Sequence, residues 1–260
     1  MGANVSFFLK RDNYPTFFLL LIFVILCWSY IIHLSKIMNV NNLDSMKMTE
    51  PNWDFYIFLS AFSMWSIMMV AMMLPSAMPM ILLFSTISKK RKTEHKSYSS
   101  TLIFISGYII VWVMFSLIAS LIQMVLHYNF LISDSLNLVN PYASGLVLIS
   151  AGIYQFTKLK NICLAKCQSP LNFLLSGWKK GKSGAFMMGL KHGLFCLGCC
   201  WILMLLLFVA GVMNLLWIAL ISFFVLIEKS IKNKYVSKVS GFLLLIMGIW
   251  VILGDYLPSL

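Results

Sequence analysis

Acidic residues are scarce in this sequence. Asp and Glu number 8 in 260 residues, and all charged residues together make up 11%. Water-soluble domains carry about a quarter charged residues, so this chain has little with which to build a water-facing surface. It has no paired carboxylates within its apolar runs, no Ser-His-Asp arrangement and no zinc-protease histidine motif, which argues against hydrolytic chemistry and against an enzyme. It has no glycine-rich phosphate loop, so any transport is not driven by ATP hydrolysis on this chain. Long polar stretches, internal repeats and low-complexity segments are absent too, which leaves no room for a separate soluble domain.

What is present is apolar: 60% of the residues, gathered into runs too long for a soluble core. A membrane span needs about 20 such residues, because a helix rises about 1.5 Å per residue through about 30 Å of hydrocarbon. The runs predict an all-α, polytopic bundle of about seven transmembrane helices, at roughly 16–34, 55–87, 101–126, 141–157, 185–209, 213–227 and 239–257, forming a single integral membrane domain over 1–260. The first run is too long for a signal peptide and lacks a cleavage site, so it is expected to stay as an anchor. Pro75 and Pro79 interrupt the second and predict a kinked or broken helix there. A longer connection is expected from 158 to 184.

The net charge is +12. Nucleic acid is excluded as its target, because the basic residues sit between apolar runs, where the positive-inside rule puts them. Lys10 and Arg11, Lys89 to Lys92 with Lys96, Lys158 to Lys182, and Lys229 to Lys238 would all be cytoplasmic in a seven-span chain with its N-terminus inside. Asp44, Glu50, Asp54, Asp134 and Asp255 would lie opposite, with Lys47 and Lys36. The expected location is the cell inner (plasma) membrane, multi-pass, with the lipid bilayer as solvent.

Of six cysteines, five fall between Cys163 and Cys200; Cys27 stands alone in the first run and reads as packing. Read as a helix, the fifth run carries Met188, His192, Cys196, Cys200 and Met204 every four residues along one face, with Cys199 beside them. Thiolate and thioether are soft ligands that select cuprous copper, zinc or iron–sulfur clusters, and imidazole suits copper and zinc. Cys163-x-x-x-Cys167 precedes this face; on a short helix both thiols would point one way, and together the two elements supply enough ligands for a tetrahedral or cuprous site. The candidate metal ligands are therefore Cys163, Cys167, His192, Cys196, Cys199 and Cys200, with Met72, Met73, Met204 and Glu228 as further candidates. A methionine ladder, Met64, Met68 and Met72 beside Met69 and Met73, runs toward Pro75. Packing explains it better than ion relay, since methionine commonly fills gaps in apolar cores. Gly189 and Gly193 form a small-x-x-x-small pair suited to close helix packing. Lys191 and Glu228, near the ends of the fifth and sixth runs, are candidates for a cross-helix pair or for snorkelling, and Asn214 is a candidate cap for the sixth.

Several of these motifs resemble a known family, the predicted metal-binding integral membrane proteins of domain-of-unknown-function family 2182. The matching residues are Trp65 with Ala71-Met72-Met73-Leu74-Pro75; Tyr154-Gln155 with Lys160, Cys163, Leu164 and Cys167; Gly189, His192 and Gly193; Cys196-x-Gly198-Cys199-Cys200-Trp201 with Met204; Gly211, Met213 and Asn214; and Glu228-Lys229. The resemblance covers roughly 53–230 and implies metal binding in a membrane. The expected function is the binding and handling of a soft transition metal ion, copper before zinc, as a transporter, a delivery protein or an accessory protein. Its partners would be a membrane enzyme complex or a metallochaperone. A thiol–disulfide membrane redox protein and a structural subunit of a membrane complex are the alternatives.

Overall fold

The computed structural model describes residues 14–40, 54–90, 97–129, 131, 132, 136 and 138–254. Among these residues the chain is helical and contains no strand. The helices are α1 (Tyr14–Val40), α2 (Phe55–Lys90), α3 (Ser97–Tyr128), α4 (Pro141–Gln155), α5 (Lys158–Gln168), α6 (Pro170–Ser176), α7 (Gly181–Ala210), α8 (Leu215–Ser230) and α9 (Lys234–Gly254). Short polar signals set several of the boundaries. Asn140 caps α4 by accepting from the amides of Tyr142 and Ala143, and Pro141 follows at the first turn, where its missing N–H costs nothing. Thr157 caps α5 in the same way. Asn214 caps α8 through the amide of Leu216. α7 ends at Gly211, whose φ of 91° is open to glycine and strained for other residues.

Among the described residues five helices are long and apolar enough to cross a membrane: α1, α2, α3, α7 and α9. The expected seven spans are not supported, and neither is the N-terminal orientation drawn from them. α4 and α8, read from sequence as spans, have 15 and 16 residues. At about 1.5 Å per residue they reach only about 22–24 Å, short of a hydrocarbon core of about 30 Å. The expected connection from 158 to 184 folds instead into α5 and α6. α2 runs through both prolines as one helix rather than breaking. Of the charges used in the orientation argument, Lys10, Arg11, Asp44, Lys47, Glu50, Arg91, Lys92, Lys96, Asp134 and Asp255 lie outside the described residues.

The core is built by α2, α3 and α7, with α1 against α2 and α9 against α4. Trp65, Met69, Met73, Phe104, Trp112 and Leu207 are among its fully buried side chains. Outward faces are apolar as well, with Leu26, Leu146, Phe223, Phe242 and Trp250 exposed. That inversion suits a lipid surrounding, where only the backbone needs internal hydrogen bonds. α3 and α7 approach closely at Gly189, where a Cβ would collide with the Phe104 carbonyl, at Gly107, where it would collide with the Phe186 carbonyl, and at Gly193, where it would meet Val111 at 2.8 Å. The small-x-x-x-small pair is thus a seat for α3. Replacing Gly189 by Ala should cost about 1–3 kcal/mol through overpacking against backbone. The check is a thermal unfolding midpoint in detergent; a midpoint equal to wild type would mean the two backbones separate freely.

Candidate metal centre

α7 carries the site. Met188, His192, Cys196, Cys199, Cys200 and Met204 are all buried on its inner side, as the four-residue spacing requires. Cys196 and Cys200 turn toward α2 and α3. The Cys200 Sγ lies 3.9 Å from the Met73 Sδ. The Tyr108 hydroxyl lies 3.1 Å from the Cys196 Sγ and also donates to the Met73 carbonyl at 3.1 Å. The thiols of Cys199 and Cys200 point back along their own helix to the Cys196 carbonyl, at 3.0 and 2.9 Å. The Cys167 and Cys199 side chains interact across α5 and α7.

α5 brings the remaining cysteines. Cys163 is buried and Cys167 half-buried. A Cβ at position 198 would stand 2.7 Å from the Cys163 Sγ, so Gly198 is the notch that admits this thiol to α7. Burial pushes the Cys163 thiol above its ordinary range, and charge on Cys199 acts in the same direction. The Tyr154 hydroxyl donates to the Gly198 carbonyl and fixes the end of α4 beside the notch.

His192 sits one turn before Cys196, only 4% exposed. Its ring lies over Tyr108 at 5.4 Å between centroids, with Phe173 of α6 at 5.8 Å and Phe104 at 6.3 Å. Neither ring nitrogen has a hydrogen-bond partner. Buried imidazole nitrogens are ordinarily satisfied, so this ring has donor capacity to spare.

Two charges complete the site, and the sequence reading put both in loops. Lys229 is buried, with Nζ 2.8 Å from the Cys196 Sγ and 3.1 Å from the Ser76 Oγ. An ammonium in contact with sulfur compensates a thiolate or a thiolate-bound ion. Lys160 is fully buried and paired with Glu228 at 2.7 Å. Glu228 therefore faces Lys160 rather than Lys191, which is exposed, and rather than the thiols. The general suspicion attached to ionisable residues in apolar helices would have found these lysines, had α8 and α5 been read as buried. Tyr108 carried no such signal; only the packing of α3 on α7 puts its hydroxyl on Cys196.

Met72 and Met204 are buried without a polar side-chain contact, and Met72 contributes its carbonyl to the Ser222 hydroxyl at 3.3 Å. Among the described residues no three His, Cys, Asp or Glu side chains converge into a ready coordination sphere. What the fold assembles is a soft-donor set: thiols and a thioether in pairwise contact, with an unpartnered imidazole one turn away.

A family model described as a copper chaperone, PpoB2, matches residues 62–251. That name differs from the family the cysteine block resembles; metal handling is common to both descriptions. Comparison with curated proteins gives no match, and comparison with solved structures gives none.

Tyr108→Phe removes one donor shared between the Met73 carbonyl and the Cys196 sulfur. The expected loss is about 1 kcal/mol, seen as a lowered unfolding midpoint in detergent with unchanged helix content. An unchanged midpoint would mean the hydroxyl contributes nothing at this junction.

Proposed function

The chain belongs to the PpoB2 family of copper chaperones, and from that premise we propose that it binds cuprous copper as cargo within the membrane and passes it on as an accessory protein. The observation that carries this reading is the buried contact of soft donors, Cys200 with Met73 and Cys196 beside them, at mid-length of α2 and α7. Thiolate and thioether select a cuprous ion over harder cations, which favours copper and leaves zinc second. Cys196, Cys199 and Cys200 are the principal ligands in this reading, with His192, Cys163 and Cys167 available to exchange with them. Met73 is the thioether nearest the thiols; Met72 and Met204 back it. Glu228 is no longer a ligand candidate, since its carboxylate is taken by Lys160 and by the Ser237 hydroxyl.

A cuprous ion held by two thiolates carries net negative charge, and a low-dielectric interior penalises that charge unless a cation stands near. Lys229 supplies the cation. Delivery then needs no electron transfer: a thiolate of the receiving protein replaces a thiolate of this one on the metal, one copper–sulfur bond forming as another breaks. The receiver would be a membrane enzyme complex, and the donor a metallochaperone. We place the chain in the inner (plasma) membrane as a multi-pass protein with its N-terminus cytoplasmic, which keeps Lys89 and Lys90, at the C-terminal end of α2, on the positive-inside side.

The test is metal content of detergent-purified protein, loaded with copper or zinc under reducing conditions. Wild type should retain copper in stoichiometric amount. The Cys196→Ser/Cys199→Ser/Cys200→Ser variant should fall to background with its helix content intact. Neither metal retained by wild type would sink the reading, and thiol titration would then separate a redox protein from a structural subunit.

A further inference from the structure

α5 carries two of the five clustered cysteines on only 11 residues. A helix that short is marginal by itself. Yet its thiols are held at a defined place, Cys163 in the Gly198 notch and Cys167 against Cys199. The fastening lies at its two ends. Near the first, Lys160 Nζ bonds both carboxylate oxygens of Glu228, at 2.7 and 2.9 Å, and also the Gln155 side-chain carbonyl. Glu228 in turn accepts from the Ser237 hydroxyl of α9 at 2.6 Å. At the second, Gln168 Nε2 donates to the backbone carbonyls of Glu228 and Ile231, at 2.8 and 3.0 Å. Both ends thus grip the same object, the C-terminus of α8, and the cysteines lie between the grips.

We infer that Lys160, Glu228 and Gln168 form a latch that seats α5 on the thiol face of α7, and that they are positioning residues for Cys163 and Cys167. The energetics favour a latch over mere packing. A buried ion pair adds little net stability compared with apolar residues, but removing one partner strands the other's charge and is strongly destabilising. Such a pair therefore holds two elements in one register and resists sliding between them. Apolar burial gives α5 a smaller hold: Leu159 and Ile162 face outward, and of its three large aliphatic side chains Leu164 alone is buried. The role of the latch in copper handling rests on the function proposed above; its existence does not.

The experiment is site-resolved alkylation of metal-free, reduced full-length protein in detergent, with N-ethylmaleimide and mass spectrometry of each cysteine. Cys27 in α1, buried away from α5, is the internal control. Lys160→Met and Glu228→Gln should each speed alkylation of Cys163 and Cys167 by at least about tenfold, the scale expected for a broken buried pair, while Cys27 keeps its wild-type rate. Gln168→Ala, which removes neutral hydrogen bonds only, should speed Cys167 more than Cys163. The charge swap Lys160→Glu/Glu228→Lys should restore the slow rates. Its geometry is accommodated, because the Gln155 amide can turn its unpartnered Nε2 to the new carboxylate and the Ser237 hydroxyl can accept from the new ammonium. Unchanged rates in the single variants overturn the inference. So does a rise at Cys27 equal to that at Cys163, or a swap that fails to restore the seat, since the pair would then serve the whole bundle. Metal is absent throughout, so the outcome is independent of copper retention. A latch without metal binding, or metal binding without a latch, would be read separately.

Discussion

An ammonium group inside an apolar helix bundle must be met by an anion or by acceptors at the place where it lies. Lys160 and Lys229 impose that condition on this protein, and most of the local architecture answers it. Glu228 and Lys229 are neighbours on the last turns of α8. The first turns to α5 and α9, toward Lys160 and Ser237; the second turns to α2 and α7, toward Ser76 and Cys196. One helix end thereby joins four other elements. It also divides the polar interior into a satisfied ion pair on one side and a sulfur site with its own cation on the other.

That division gives the two groups of cysteines different standing. Cys196, Cys199 and Cys200 sit on a long helix whose place is set by α3, through backbone contact at Gly189. Cys163 and Cys167 sit on a short helix held by polar contacts at its ends. A rigid donor face and a separately fastened one suit a protein whose cargo must be both held and released, because ligand exchange needs donors that approach without a change in the main frame. The prolines of α2 contribute to the rigid side. Near Pro75 the carbonyls of Met72 and Met73 accept from Ser222, Tyr108 and Ser76, so the disturbed turn is tied to α3 and α8. α2 continues through both prolines as one helix, so of the kink or break expected there the break does not occur.

The limits of sequence reading follow from range. Helical content, apolar runs and the soft-donor face of α7 are properties of spacing along one segment, and the burial of every residue on that face follows from its periodicity. Span counting failed at α4 and α8 because apolarity over 15 or 16 residues is shared by true spans and by helices packed part of the way along a bundle. The lysines were misplaced for the same reason: a basic residue at the end of an apolar run looks like a loop residue whether or not a carboxylate waits for it elsewhere in the chain. His192 was legible as a donor, but the lack of a hydrogen-bond partner for its ring nitrogens was not.

The sequence by itself determined that the chain is helical, apolar on all sides and equipped with thiols and an imidazole on one helix face, because each of these depends on residues within a few turns of one another. Only the tertiary structure decided that Glu228 answers Lys160, that Lys229 and Tyr108 meet Cys196, and that Gly198 admits Cys163. Those meetings join residues 68, 33, 88 and 35 positions apart. They are selected by the energy of the packed bundle, in which a buried charge or donor must find its partner, and no local pattern encodes which partner that is.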